Sequence, residues 1–301
     1  MPTKRVLLTG ASGFIGSHCI RPLLDRGYEV HAVSREPGPA DVSGVTWHTA
    51  DLVASGAART LVETVRPTHL LHLAWYVVPG KLISAPENFD WVTASFELVR
   101  RFAEAGGERL AVCGSAYEYD WSYGYCTEGL TPCVPDTVYG ACKHALHEMV
   151  RSYAAGRQLS AAWPRVFFLY GPNEHPQRLV SSVIRALLRG EPAPCSHGRQ
   201  IRDYMHVQDV ADGLACVLDA DLQGAVNVSS AQATTLREIV LAAGRLVGRP
   251  ELVQLGALPA RANDVPLVVG ASSRLAGLGW LPRYDLESGL RHTIDWWKQR
   301  G

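Results

Sequence analysis

The chain has 301 residues, 47% hydrophobic and 19% charged, enough apolar material for one large domain or a domain with a smaller lobe. Lys plus Arg and Asp plus Glu are both 29, so no net field draws in nucleic acid or an anionic membrane, and neither is expected as a partner. The apolar runs are too short to span a bilayer, and the seven cysteines contain no Cys-x-x-Cys. With no apolar signal core near the first residues, the expectation is a reduced, cytoplasmic protein without a metal site or disulfide framework.

Short β-branched or leucine-rich runs alternate with helical patterns through the first two-thirds of the chain. Strands are expected at 5–9, 29–34, 45–49, 69–74, 109–114 and 161–169, and helices near 14–26, 55–65, 88–105 and 137–155. This alternation predicts an α/β fold with a doubly wound parallel sheet. After Gly171-Pro172 the rhythm changes to Pro, Gly and His, and later to short helices and loops. The expected division is a dinucleotide-binding domain over 1–171 plus roughly 201–228. A smaller substrate lobe takes 172–200 and 229–301.

Thr9-Gly10-Ala11-Ser12-Gly13-Phe14-Ile15-Gly16 follows the first strand and opens the first helix. Small residues there let the backbone approach a pyrophosphate, and the helix N-terminus supplies free N–H donors. Its spacing is Gly-x-x-Gly-x-x-Gly, and Thr9, Gly10, Ser12, Gly13, Phe14, Ile15 and Gly16 are the expected contacts. The second strand ends in Ser34-Arg35, with Glu36 beyond. A guanidinium matches a 2′-phosphate, so NADP(H) is favoured, while Glu36 keeps NAD(H) possible. Asp51 and Leu52 after the third strand are placed to meet the adenine. Leu73 and Ala74 at the end of the fourth would let the backbone approach the cofactor.

Ser115 follows the fifth strand, at the sheet edge that faces the ligand crevice. Tyr139 and Lys143 stand one helical turn apart on one face. A lysine charge beside a phenol is expected to lower the phenol's pKa, so that it can exchange a proton with a substrate oxygen that Ser115 holds. Lys143 would also bind the nicotinamide ribose. Its neighbours on that face are Tyr139, Leu146, Val150 and Tyr153, an apolar stripe on which a lysine needs a partner.

With these residues in place the chain resembles the extended short-chain dehydrogenase/reductases of the nucleotide-sugar epimerase/dehydratase family, almost end to end. Gly10, Gly13 and Gly16 match the glycine motif, Leu71-His72-Leu73-Ala74 the fourth-strand motif, and Ser115, Tyr139 and Lys143 the triad. Arg202-Asp203-Tyr204-Met205-His206-Val207, Arg261 with Asp264, and Leu278-Gly279-Trp280-Leu281-Pro282 match later stretches. The resemblance implies a Rossmann domain, a nicotinamide dinucleotide, an NDP-sugar substrate and a homodimer packed through the helices near 88–105 and 137–155. It implies substrate contacts from Trp75, Ser115, Tyr117, Arg178, Arg202 and Arg261, with Arg202 and Arg261 on the diphosphate. His72, His206 and Trp296-Trp297 read as structural.

Three departures from the family pattern narrow the reaction. Ala116 and Tyr117 stand where dehydratases carry an acidic pair, so a 4,6-dehydratase is not expected. Trp91 and Phe168 replace asparagines, which suggests a less polar sugar such as a deoxyhexose. The leading expectation is NADPH-dependent reduction of an NDP-4-keto-6-deoxy sugar. The close alternative is an NDP-sugar 4-epimerase with tightly bound NAD. A non-catalytic dinucleotide-sensing protein and a reductase of non-sugar carbonyls stand lower.

Overall fold

The computed structural model describes residues 4–38, 42–260 and 264–300. Eight parallel strands form its main sheet; seven follow one path, β1 Arg5–Thr9, β2 Glu29–Ser34, β3 Val45–Thr49, β4 His69–His72, β5 Arg109–Val112, β6 Ser160–Val166 and β7 Gly224–Val228, in the spatial order β7-β6-β5-β4-β1-β2-β3, and the short strand Gly114–Ser115 pairs beside β6. The strand order reverses direction between β1 and β4, and in sheets wound this way ligands bind outside the carboxyl ends of the strands at that point. Val6, Leu7 and Leu8 of β1 are fully buried, as a central strand covered on both faces requires.

Helices α1 (Phe14–Asp25) and α6 (Val207–Asp219) pack together, with side chains of both in a core on one face of the sheet. On the other face α2 (Ala57–Val65), α3 (Glu87–Glu104) and α4 (Val138–Ala155) build a second core. A third core joins α5 (Leu179–Arg189), α7 (Leu236–Val247) and the C-terminal helix Leu286–Lys298. None of the helices described is long and apolar enough to cross a membrane.

Three expected strands end early, each for a local reason. The strand expected over 69–74 stops at His72, because the Thr9 hydroxyl accepts the N–H groups of Leu73 and Ala74 at 3.1 and 3.2 Å. That expected over 109–114 breaks after Val112 and resumes as Gly114–Ser115. The break lies between the paired residues Ala111–Ala162 and Gly114–Arg165, opposite Trp163 and Pro164 of β6; Pro164 has no N–H to donate. The strand expected over 161–169 ends at Val166, and Phe168–Tyr170 pairs instead with Tyr204–His206.

Asp203 is the joint of that second layer. Its fully buried carboxylate accepts the N–H groups of Ser230, Ala231 and Gly270 and the Ser230 hydroxyl. Those bonds satisfy a buried charge and tie the stretch around 201–206 to two other segments.

Candidate active site

The glycine turn is built by close packing. Gly10 has φ +68°, and a Cβ there would lie 2.9 Å from the Ala74 nitrogen. A Cβ on Gly16 would reach the Gly10 carbonyl oxygen at 2.1 Å, so the first turn of α1 presses directly onto the loop. Gly13 is the N-cap of α1 and provides no side-chain cap, which leaves the first N–H groups at Phe14 and Ile15 available to a ligand. Ser12 is exposed beside them. A cradle of this shape, with uncapped donors at the sheet's reversal point, fits a dinucleotide pyrophosphate.

The ends of the neighbouring strands form the flanks. The Ser34 hydroxyl donates to the Glu36 carbonyl and is thereby committed to the loop. Arg35 is exposed and makes no ion pair among the described residues. Asp51 is exposed, and its carboxylate accepts the Val53 N–H at 3.1 Å, while Leu52 is buried in the second core. Behind β1 and β4, His72 bridges the Thr9 hydroxyl at 2.7 Å and the Ser95 hydroxyl at 2.8 Å. Burial pushes its imidazole down to about 3, so His72 is a neutral tie between strand and helix.

Ser115 caps the short 3₁₀ turn Ala116–Glu118, its oxygen accepting the Tyr117 N–H at 3.3 Å and its own N–H donating to Glu118 at 2.7 Å. Tyr139 stands in the first turn of α4 under the Thr137 cap, and its phenol lies near enough to the Ser115 hydroxyl for that group to pull its pKa down. Gly140 makes this meeting possible, since a Cβ there would reach the Tyr117 carbonyl oxygen at 2.2 Å. Lys143, one turn on, is 3% exposed; its Nζ donates to the Cys113 carbonyl at 2.7 Å and lies 3.7 Å from the Trp75 ring centroid.

Burial governs the protonation of both groups. It pushes the Lys143 ammonium down to about 8, partly offset by the fields of Cys113 and Glu118. It pushes the Tyr139 phenol above its ordinary value, with the Ser115 hydroxyl pulling the other way. The expectation of a phenol lowered by Lys143 is therefore reversed in the protein by itself. Desolvation of the buried phenol is the largest cause of its rise, and the ammonium is engaged by Cys113 and Trp75.

On the substrate side the structure assembles an aromatic wall. Tyr117 stands edge-on to Tyr139 at 5.6 Å and close to Trp121 at 4.4 Å, and Phe168 and Tyr204 continue the row. Arg202 lies over the Phe168 ring at 5.5 Å and pairs with Asp264, which also accepts from Gln200. Its charge is thus already partnered and nearly buried. Arg178 is exposed at the N-cap of α5, and its field and that of Arg202 both reach the Tyr204 hydroxyl. Arg261 lies outside the described residues. Trp75, expected to face substrate, is nearly buried against Lys143, Tyr139 and Trp91.

Sequence reasoning missed the part played by Glu118. It is fully buried, and its carboxylate takes the Ser115 N–H, the Trp163 indole N–H and the Arg165 guanidinium at 2.9 Å. An acid in a turn otherwise bounded by aromatic and small residues was the available signal. It holds the backbone of Ser115 in place and leaves no free carboxylate at that point.

A phosphate cradle at the reversal of a parallel sheet, with a neighbouring serine and tyrosine and a buried lysine at its side, defines an enzyme that works with a nicotinamide dinucleotide. The chain belongs to the NAD dependent epimerase/dehydratase family, whose model matches residues 6–229. It is 25% identical to a UDP-glucose 4-epimerase of Halalkalibacterium halodurans, the match covering 98% of this chain and 96% of the relative. It is also 25% identical to dTDP-6-deoxy-L-talose 4-dehydrogenase (NAD(+)) of Aggregatibacter actinomycetemcomitans, over 88% of this chain and 99% of the relative. Among solved structures it resembles MoeE5 in complex with UDP-glucuronic acid and NAD, with TM-score 0.85 and 31% identity, covering 99% of this chain and 100% of that one.

Proposed function

We propose that this enzyme is an NDP-sugar 4-epimerase that carries NAD as a resident coenzyme. The observation that carries the reading is the pairing of Ser115 with Tyr139 beside a buried carboxylate, Glu118, that is consumed by Arg165, Trp163 and a backbone N–H. Such a site can move one proton at one sugar carbon but offers no free acid to expel water, which argues against a dehydratase. The names of the relatives supply the substrate class, a UDP- or dTDP-hexose, and NAD accompanies two of the three.

Gly10, Gly13, Phe14, Ile15 and Gly16 would hold the pyrophosphate, and Lys143 the nicotinamide ribose. When bound, NAD would supply a hydride acceptor and donor for the sugar carbon, and its positive charge would favour the Tyr139 phenolate. Ser115 holds the oxygen on that carbon, and Tyr139 takes its proton and gives it back. Turnover requires the sugar to present its other face between the two steps. The segments 172–200 and 229–301 would form the lobe that grips it, with Arg178 and Arg202 toward the diphosphate. A homodimer through α3 and α4 fits the exposed Phe89 and Met149 on those helices.

Arg35 favours a second reading, the NADPH-dependent reduction of an NDP-4-keto-6-deoxy sugar, because it stands just past β2, exposed and without an ion pair among the described residues. Two measurements decide between them: mass spectrometry of the nucleotide released on denaturation, and NMR of UDP-glucose or UDP-glucuronic acid after incubation with the enzyme. Stoichiometric NAD with inversion at the 4-position establishes the epimerase. An empty or NADP-exchanging site, with hydride delivered from NADPH to a 4-keto sugar, overturns it in favour of the reductase.

A further inference from the structure

Trp75 follows directly on Ala74, where the end of the fourth strand meets the glycine turn, and it is held with unusual firmness. Its indole N–H donates to Asn88 Oδ1 at 2.8 Å. Asn88 is fully buried and donates to the carbonyls of Leu82 and Ala85, each at 2.8 Å, so its amide has a partner at both ends. The indole cannot turn without orphaning that amide. Thus pinned, its face meets the Lys143 ammonium at 3.7 Å, while Tyr139 stands edge-on at 6.4 Å.

The groups around Lys143 make this contact consequential. Cys113 at the end of β5, Glu118 in the turn after Ser115, His72 on β4 and Tyr139 on α4 are its titratable neighbours. Burial keeps the Cys113 thiol and the Tyr139 phenol protonated and His72 neutral. The Glu118 carboxylate is taken up by the Arg165 guanidinium at 2.9 Å. Among the described residues, the direct contacts given for the ammonium are one carbonyl, from Cys113, and one aromatic face, from Trp75. A cation over an indole is attracted by the ring's quadrupole, more strongly where water is excluded.

We propose that Trp75 is a positioning residue: pinned by Asn88, its indole holds the Lys143 ammonium beside Tyr139 and stabilises the charge through the face of the ring. The catalytic meaning of that rests on the function proposed above, whereas the contact itself does not.

The test replaces Trp75, in the full-length protein, by tryptophans carrying one, two and three ring fluorines, which drain the π face while nearly keeping its shape. The Lys143 pKa is then read by competitive chemical labelling across pH and mass spectrometry. A stepwise fall with each fluorine, reaching about 0.4 to 1.5 pH units, is expected. An unchanged Lys143 pKa across the series overturns the proposal. The pH profile of turnover, measured on the same proteins, separates the two readings. A labelled pKa that falls while the profile stays put upholds the contact and removes Lys143 from the catalytic step.

Discussion

Replacing Lys143 by methionine should destroy activity and, near neutral pH, stabilise the cofactor-free fold. The Lys143 ammonium stands at about 8 against an ordinary 10.5, a depression of 10.5 − 8 = 2.5 units caused mainly by burial. At about 1.4 kcal/mol per unit, keeping that charge folded at pH 7 costs about 3 kcal/mol. Methionine fills similar space without charge but leaves the Cys113 carbonyl without its 2.7 Å donor, a loss of about 1–3 kcal/mol. The variant should thus be about 0–2 kcal/mol more stable at pH 7.

The pH dependence is the sharper observable. Between pH 8 and 10.5 the unfolded chain holds the Lys143 proton and the folded chain does not, so this group makes wild-type stability rise with pH. Buried tyrosines and cysteines act in the opposite sense, but equally in both proteins, so they cancel in the difference. About 2 kcal/mol of the cost is relieved by pH 9.5, and the advantage of the variant shrinks by that amount and changes sign. Urea unfolding of both proteins, stripped of nucleotide, at pH 7 and 9.5 provides the comparison. A stability difference that does not move with pH would refute the claim that this ammonium is desolvated.

Tyr139→Phe removes the proton-carrying oxygen and should lower turnover by about 10²–10⁴-fold, while equilibrium dialysis shows nucleotide binding within twofold of wild type. Gly140→Ala drives a Cβ toward the Tyr117 carbonyl oxygen, 2.2 Å away in the unrelaxed geometry. It should cost about 1–3 kcal/mol in urea unfolding and cut turnover by separating Tyr139 from Ser115. Retained stability and rate would show that α4 can shift freely. Glu118→Gln breaks the buried pair with Arg165, for which about 3–5 kcal/mol is expected in thermal or urea unfolding, with Glu118→Asp milder.

Much of this protein was legible before folding was considered. The strands Arg5–Thr9, Glu29–Ser34 and Val45–Thr49 were set by apolar runs ended by turn residues, and the structure reproduces all three. The glycine turn and the Tyr139–Lys143 spacing were legible because local backbone geometry alone brings those residues together. Tertiary structure decided what depends on partners far along the chain. Lys143 meets the carbonyl of Cys113, thirty residues earlier, and a face of Trp75 that only Asn88 orients. Arg202 is answered by Asp264, and Glu118 by Arg165, across sequence separations that no local pattern encodes. Whether a phenol's pKa rises or falls is decided in the same way. Spacing reports which charges are near, but desolvation depends on everything else that closes around the group, and here it pushed Tyr139 up.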